Sequence, residues 1–183
     1  MDHPPYFTPE QKFLRTIYVG SLSSVEASET FAAWLLTGVA AMLGLILANA
    51  ESVAKIISSG ALRWGIVLLT ISMLAGVIAK QFGIAIRNAM ALTVALYAEL
   101  LSPDGQAIVE SISANPSKIV QKMSEPFLWP LKGIMLKAAQ AGSDDYLHTE
   151  KRCIRMLCWQ MYSSAIQGVT AAIGILFLSF GIQ

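Results

Sequence analysis

Charge is what this chain has least of. Only 14% of its 183 residues are Asp, Glu, Lys or Arg, against roughly a quarter in an ordinary soluble domain. A disordered tail or a solvated coiled coil needs more charge, and a collagen-like rod needs a glycine repeat that is missing here. Cysteine is almost absent as well: Cys153 and Cys158 are too few for a disulfide framework, and a spacing of five along one helix does not bring them to bridging geometry. There are two histidines, no glycine-rich phosphate loop, no nucleophile elbow and no zinc-ligand spacing. Asp144, Asp145 and His148 could be drawn as a metal clip, but acids at the positive end of a helix beside a surface histidine account for them better. The chain therefore reads as a non-enzyme with no metal and no cofactor. A net charge of +1 provides no drive for bulk nucleic-acid binding.

What the chain has instead is length without charge. Thr30 to Ala50, Trp64 to Ala79 and Met156 to Gln183 are uncharged over 21, 16 and 28 residues. At 1.5 Å per helical residue the first spans ~31 Å, close to the ~30 Å hydrocarbon thickness of a bilayer. The last has length to spare, and the short middle run is flanked by Arg63 and Lys80, whose aliphatic stems can snorkel to the interface. The remaining 118 residues hold all 25 charges. The expected fold class is all-α: an integral membrane helical bundle with three transmembrane helices and a helical cytosolic portion.

Lysine and arginine set the expected orientation. Residues 1–29 hold Lys12 and Arg15, and the loop from Glu51 to Arg63 holds Lys55 and Arg63. The other nine lie between Lys80 and Arg155. A cytoplasmic middle segment puts the N-terminus in the cytoplasm and the C-terminus outside. The small-residue triplet Ala48-Asn49-Ala50 has the look of a signal cleavage site, but the apolar run before it is too long for a signal core. The leading 29 residues carry four acids against two bases, the wrong sign for a signal leader. A retained first span is the better reading.

Four stretches follow. Residues 1–29 form an amphipathic N-terminal segment, with Thr8, Pro9 and Gln11 as a capping-box start and Phe13, Leu14, Ile17 and Tyr18 at helical spacing. Residues 30–101 form a two-span hairpin. Its second helix, from Ala61 to Leu101, is expected to be ~60 Å long and to project beyond the bilayer, ending at Ser102-Pro103-Asp104-Gly105. Residues 102–142 read as short cytosolic helices broken by proline, with an amphipathic piece from Pro126 to Ala141 and Gly142 as its C-cap. Residues 143–183 form a long final helix, from Asp144 to about Phe180, that includes the third span.

Three residue sets are candidates for function. Along the third span Gln160, Ser163, Ser164, Gln167, Thr170, Ala171 and Gly174 share one helical face. Two amides in hydrocarbon need partners, so this stripe is either hydrogen-bond glue between helices or the lining of a pore built from several copies. No acid lies in the uncharged runs, which disfavours a proton relay or a coupled transporter. Small residues at four-residue spacing mark helix-packing grooves: Ala40, Gly44 and Ala48 in the first span, Ser72 and Gly76 in the second, Gly168 and Ala172 in the third. Lys80, Arg87, Lys118, Lys122, Lys132 and Lys137 are candidates for binding an anionic nucleotide or oligonucleotide, set against plain contact with anionic lipid.

This layout, a compact set of spans plus a helical sensor region, resembles the small membrane effectors of bacterial antiphage defence systems. In those systems an intracellular signal or partner releases a membrane-disrupting protein. The resemblance implies an oligomeric ion channel or pore, a homo-oligomer in the lipid bilayer that depolarises the membrane when a cytosolic ligand or partner protein gates it. The readings set beside it are a non-conducting scaffold or accessory subunit that anchors a partner, and a holin or toxin.

Overall fold

The computed structural model describes residues 8–100, 102, 105, 121–122, 124–125, 133, 136–137 and 147–182. Among these the chain is helical, with one isolated antiparallel bridge between Ile57 and Ile182. The helices are α1 (Pro9–Leu22), α2 (Val25–Ala48), α3 (Ala50–Ile56), α4 (Ser59–Leu100) and α5 (His148–Phe180). Segments within Pro9–Ala48, Ser59–Glu99 and His148–Phe180 are long and apolar enough to cross a membrane, the arrangement of a multi-pass membrane protein.

Several helix ends have a local cause. Thr8 and Gln11 close the capping box expected of α1: the Thr8 amide donates to Gln11 Oε1 at 3.0 Å, and the Gln11 amide donates to Thr8 Oγ1 at 3.2 Å, which satisfies two otherwise orphaned donors. Asn49 stops α2. Its backbone leaves the helical region (φ −118°, ψ 28°) while its side-chain amide donates to Leu45 O at 3.0 Å. The loop expected between Glu51 and Arg63 is largely helical, because Ala50–Ile56 has Glu51 in its first turn and Lys55 in its last, complementing the helix dipole at both ends. With no proline between Ser59 and Leu100, α4 runs as one 42-residue helix. The proposed start of the final helix at Ser143 to Asp145, the proline-broken helices, the Pro126 to Ala141 piece and its Gly142 cap fall on residues that are wholly or mostly outside the described set. The end of that helix at Phe180 is as expected.

The chain divides into two compact units, Met1–Ser21 with Asn88–Ile154, and Leu22–Arg87 with Arg155–Gln183. In the first, the buried contact of α1 is an ion pair. Arg15 Nε lies 3.3 Å from Glu150 Oε1, with side chains only 9% and 2% exposed, and the guanidinium stacks over Tyr97 at 4.3 Å from the ring centre. Phe13 and Ile17, on the apolar face of α1, are exposed. The Arg15 charge is matched on two sides, by a carboxylate and by an aromatic face, which makes its burial tolerable.

The second unit packs α2, the Ser59-to-Arg87 part of α4 and the later part of α5. Val39, Leu43, Ile46, Leu69, Ala171 and Leu178 form its hydrophobic core. Beyond that core the Ser58 amide donates to Gly181 O at 2.9 Å, and Gly181 lies against Ala61, so the end of α5 is tied to the start of α4. A side chain at Gly181 would collide with Ala61, which explains the glycine.

Candidate functional site

The interior of the second unit changes character along its length. Next to the apolar core lies a polar layer built on Gln167, and further along a second one built on Gln160. Both glutamines are 0% exposed. Gln167 joins all three helices: its Nε2 donates to Ala32 O of α2 at 3.1 Å, while its backbone carbonyl accepts from Ser72 Oγ of α4 at 2.8 Å. Gly76 makes the necessary room, since a Cβ at that position would overlap the Gln167 amide. One helical turn is 3.6 residues, so Gln160 lies two turns before Gln167 and Gly83 two turns after Gly76. There the same device recurs. A Cβ on Gly83 would stand 2.9 Å from Gln160 Nε2 and 3.3 Å from Glu29 Oε2.

Glu29 and Arg87 border this second layer. Arg87 Nη2 donates to Glu29 Oε1 at 2.9 Å, with Arg87 56% exposed and Glu29 12%. Among the described residues several buried atoms find no hydrogen-bond partner: Glu29 Oε2, both polar atoms of the Gln160 amide, Ser164 Oγ and Gln167 Oε1. In hydrocarbon such groups cost far more than a loose surface amide. The polar end is therefore only partly satisfied by the protein, whereas the apolar end is closed by Leu69, Ala171 and Leu178.

The third-span stripe thus faces into its own chain. Gln160, Ser164, Gln167, Ala171 and Gly174 are buried, and Ser163 and Thr170 half-buried. Thr170 Oγ1 donates to Ile166 O at 2.7 Å. Gly174 packs against Leu68 and Leu69, each 3.3 Å from its Cβ position. The small-residue sets separate in an unexpected way. Ser72 and Gly76 are buried, Gly168 is half-buried near Leu35, and Ala172, Ala40, Gly44 and Ala48 are exposed, with nothing near Gly44. On α2 the inward face is instead Val25, Ala32, Val39, Leu43 and Ile46, which offers more apolar area to bury than the alanine and glycine face.

Of the basic candidates, Lys80 and Arg87 come together in one groove beside α2, but Arg87 is already paired with Glu29. Lys122 and Lys137 are exposed. Lys118 and Lys132 lie outside the described residues. No cluster of three or more His, Cys, Asp or Glu suited to a metal ion occurs among the described residues. Cys153 is buried and Cys158 exposed, both as free thiols.

Sequence reasoning missed Glu29 and Glu150. Glu29 sits one residue before the first uncharged run, where it passes for a flank, yet it lies within α2 and faces the bundle. Its partner is 58 positions away, and that of Glu150 is 135 away, so no local signal marked either pair. No family model matches the chain, and no curated protein or solved structure matches it.

Proposed function

We propose that this chain is a membrane scaffold or accessory subunit, a non-conducting three-span anchor that holds a partner at the membrane. The observation that carries this reading is the direction of the polar groups. Both span amides, Gln160 and Gln167, are turned inward and fully buried. The outward hydroxyls of Thr37, Thr70 and Ser179 bond to carbonyls four residues back, at 3.0, 2.8 and 2.9 Å. The faces left for lipid or a partner are apolar, among them Leu45, Leu74, Ile78, Ile166 and Val169. A wall for a water-filled lumen between copies needs polar groups pointing outward, and the spans have spent theirs on internal packing. The positive-inside pattern supports a cytoplasmic N-terminus and an external C-terminus in a bacterial inner membrane.

One observation favours the second reading, a homo-oligomeric pore opened by a cytosolic ligand or partner as in antiphage effectors. The unpartnered atoms of Gln160, Ser164 and Gln167 would be better satisfied lining water than buried dry. Purified protein in planar bilayers separates the two. The anchor gives no unitary currents, and Gln160→Leu and Gln167→Leu leave that silence unchanged. Unitary currents from a stable oligomer, altered by either substitution, would refute the anchor and establish the pore.

A further inference from the structure

A groove of about 510 Å³ opens beside α2 and α4, lined by Glu26, Glu29, Thr30, Trp34, Lys80 and Arg87. Its charges are not all available. Arg87 is held by Glu29 at 2.9 Å, which leaves Glu26 and Lys80, both exposed, without an ion pair among the described residues. The groove thus presents one free carboxylate and one free ammonium. A polyanion such as a nucleotide would gain Lys80 but meet two carboxylates. A simple cation would gain Glu26 but meet Lys80 and Arg87. A zwitterion satisfies both ends.

The groove's level and apolar surface narrow the choice further. Lys80 ends the uncharged run of α4, and Glu26 and Glu29 precede that of α2, so the charges stand where the hydrocarbon gives way to headgroups. Trp34, 76% exposed, lines both this groove and an adjoining cleft that adds Phe31. Together they offer apolar surface on the hydrocarbon side.

We propose that this groove binds a phospholipid with a zwitterionic, primary-ammonium headgroup. Lys80 meets the phosphate, Glu26 accepts from the ammonium, and an acyl chain lies along Trp34 and Phe31. Glu29 Oε2 is buried beside Gly83, so the carboxylate oxygens of Glu26 are the acceptors on this wall. A primary ammonium has N–H donors for these oxygens, which a trimethylammonium lacks. This inference is independent of whether the bundle conducts.

Native mass spectrometry of the purified protein, offered phosphatidylethanolamine, phosphatidylcholine and phosphatidylglycerol with identical chains, tests it. Wild type should retain phosphatidylethanolamine about three- to fivefold over the other two, the scale of one or two partly exposed charge contacts. Glu26→Gln should remove that preference, Lys80→Gln should lower retention of all three lipids, and Lys55→Gln, on α3 and away from the groove, should change nothing. Glu26 and Lys80 are exposed, so the variants keep the bundle. As an independent readout, phosphatidylethanolamine with brominated chains should quench a part of the tryptophan emission that Trp34→Phe removes. Equal retention of the three lipids, or phosphatidylglycerol held as well as phosphatidylethanolamine with no effect of Glu26→Gln, would overturn the proposal. Failure of the brominated lipid to quench Trp34 would do the same.

Discussion

Replacing Gly76 with alanine is the sharpest probe of the polar core. A Cβ on Gly76 falls within the space of the Gln167 amide, which sits in a fully buried position and cannot swing into solvent. Overpacking of this kind costs about 1–3 kcal/mol. Pushing the amide aside also breaks its 3.1 Å bond to Ala32 O, adding ~0.6 kcal/mol by the average for hydrogen bonds inside membrane bundles. Alanine's helix propensity returns at most ~1 kcal/mol. With the full ~1 kcal/mol of propensity returned, the net expectation is a loss of about 0.6–2.6 kcal/mol. Gly44→Ala is the matched control, since nothing lies within 4 Å of its Cβ position, and it should be neutral or slightly stabilising. Reversible unfolding in mixed detergent micelles, or steric trapping in bicelles, reads both. The double variant Gly76→Ala with Gln167→Ala tests the cause, because the new methyl then fills part of the space the amide vacates. A coupling of at least ~1 kcal/mol is expected between the two sites. Equal stability of Gly76→Ala and Gly44→Ala, or additive losses in the double variant, would refute the packing argument.

Four further outcomes follow from the same structure. Arg15→Met strands Glu150 in a buried site and should cost about 3–5 kcal/mol, whereas Arg15→Met with Glu150→Leu should recover most of it; thermal unfolding of the two variants decides, and equal losses would sink the idea of a buried pair. Arg87→Gln takes a 56% exposed arginine from a carboxylate that is only 12% exposed and should cost about 1–2 kcal/mol, less than Arg15→Met and shrinking in high salt; a loss as large as that of Arg15→Met would contradict the exposure assigned to Arg87. N-ethylmaleimide should modify Cys158 in the folded protein and reach Cys153 only on unfolding, a difference that peptide mapping resolves; comparable rates at both sites would show that Cys153 is open. Gly83→Ala should destabilise less than Gly76→Ala in the same unfolding assay, because its Cβ site stands 2.9 Å from the Gln160 amide and that amide has no bond to lose; a larger loss would reverse this ranking.

Elements whose causes lie in neighbouring residues are legible in the sequence. Uncharged runs disclose the spans because hydrocarbon excludes charge whatever the fold. The capping box at Thr8 is visible because both partners lie within one turn. The direction of the small-residue stripes is not: Ala40, Gly44 and Ala48 satisfy the same spacing as Ser72 and Gly76, yet only the second set is buried. Spacing defines a face of a helix and says nothing about which face meets a neighbour. The Gln160–Gln167 stripe is legible as a set of polar groups in need of partners. Whether those partners belong to the same chain or to another copy depends on where Ala32, Ser72, Gly76 and Gly83 come to lie.

By itself, then, the sequence determined material and periodicity: three helices suited to hydrocarbon, their local caps, and a polar stripe that could not be left facing lipid. Tertiary structure decided pairing. It brought Glu29 to Arg87 and Arg15 to Glu150, turned both glutamines inward, and placed Glu26 and Lys80 in one groove with no ion pair among the described residues. The physical reason is range. Helix formation and hydrophobic burial depend on neighbours within a few residues and on composition, whereas these ion pairs and amide contacts link positions 58 to 135 residues apart, a relation that exists only once the helices have packed.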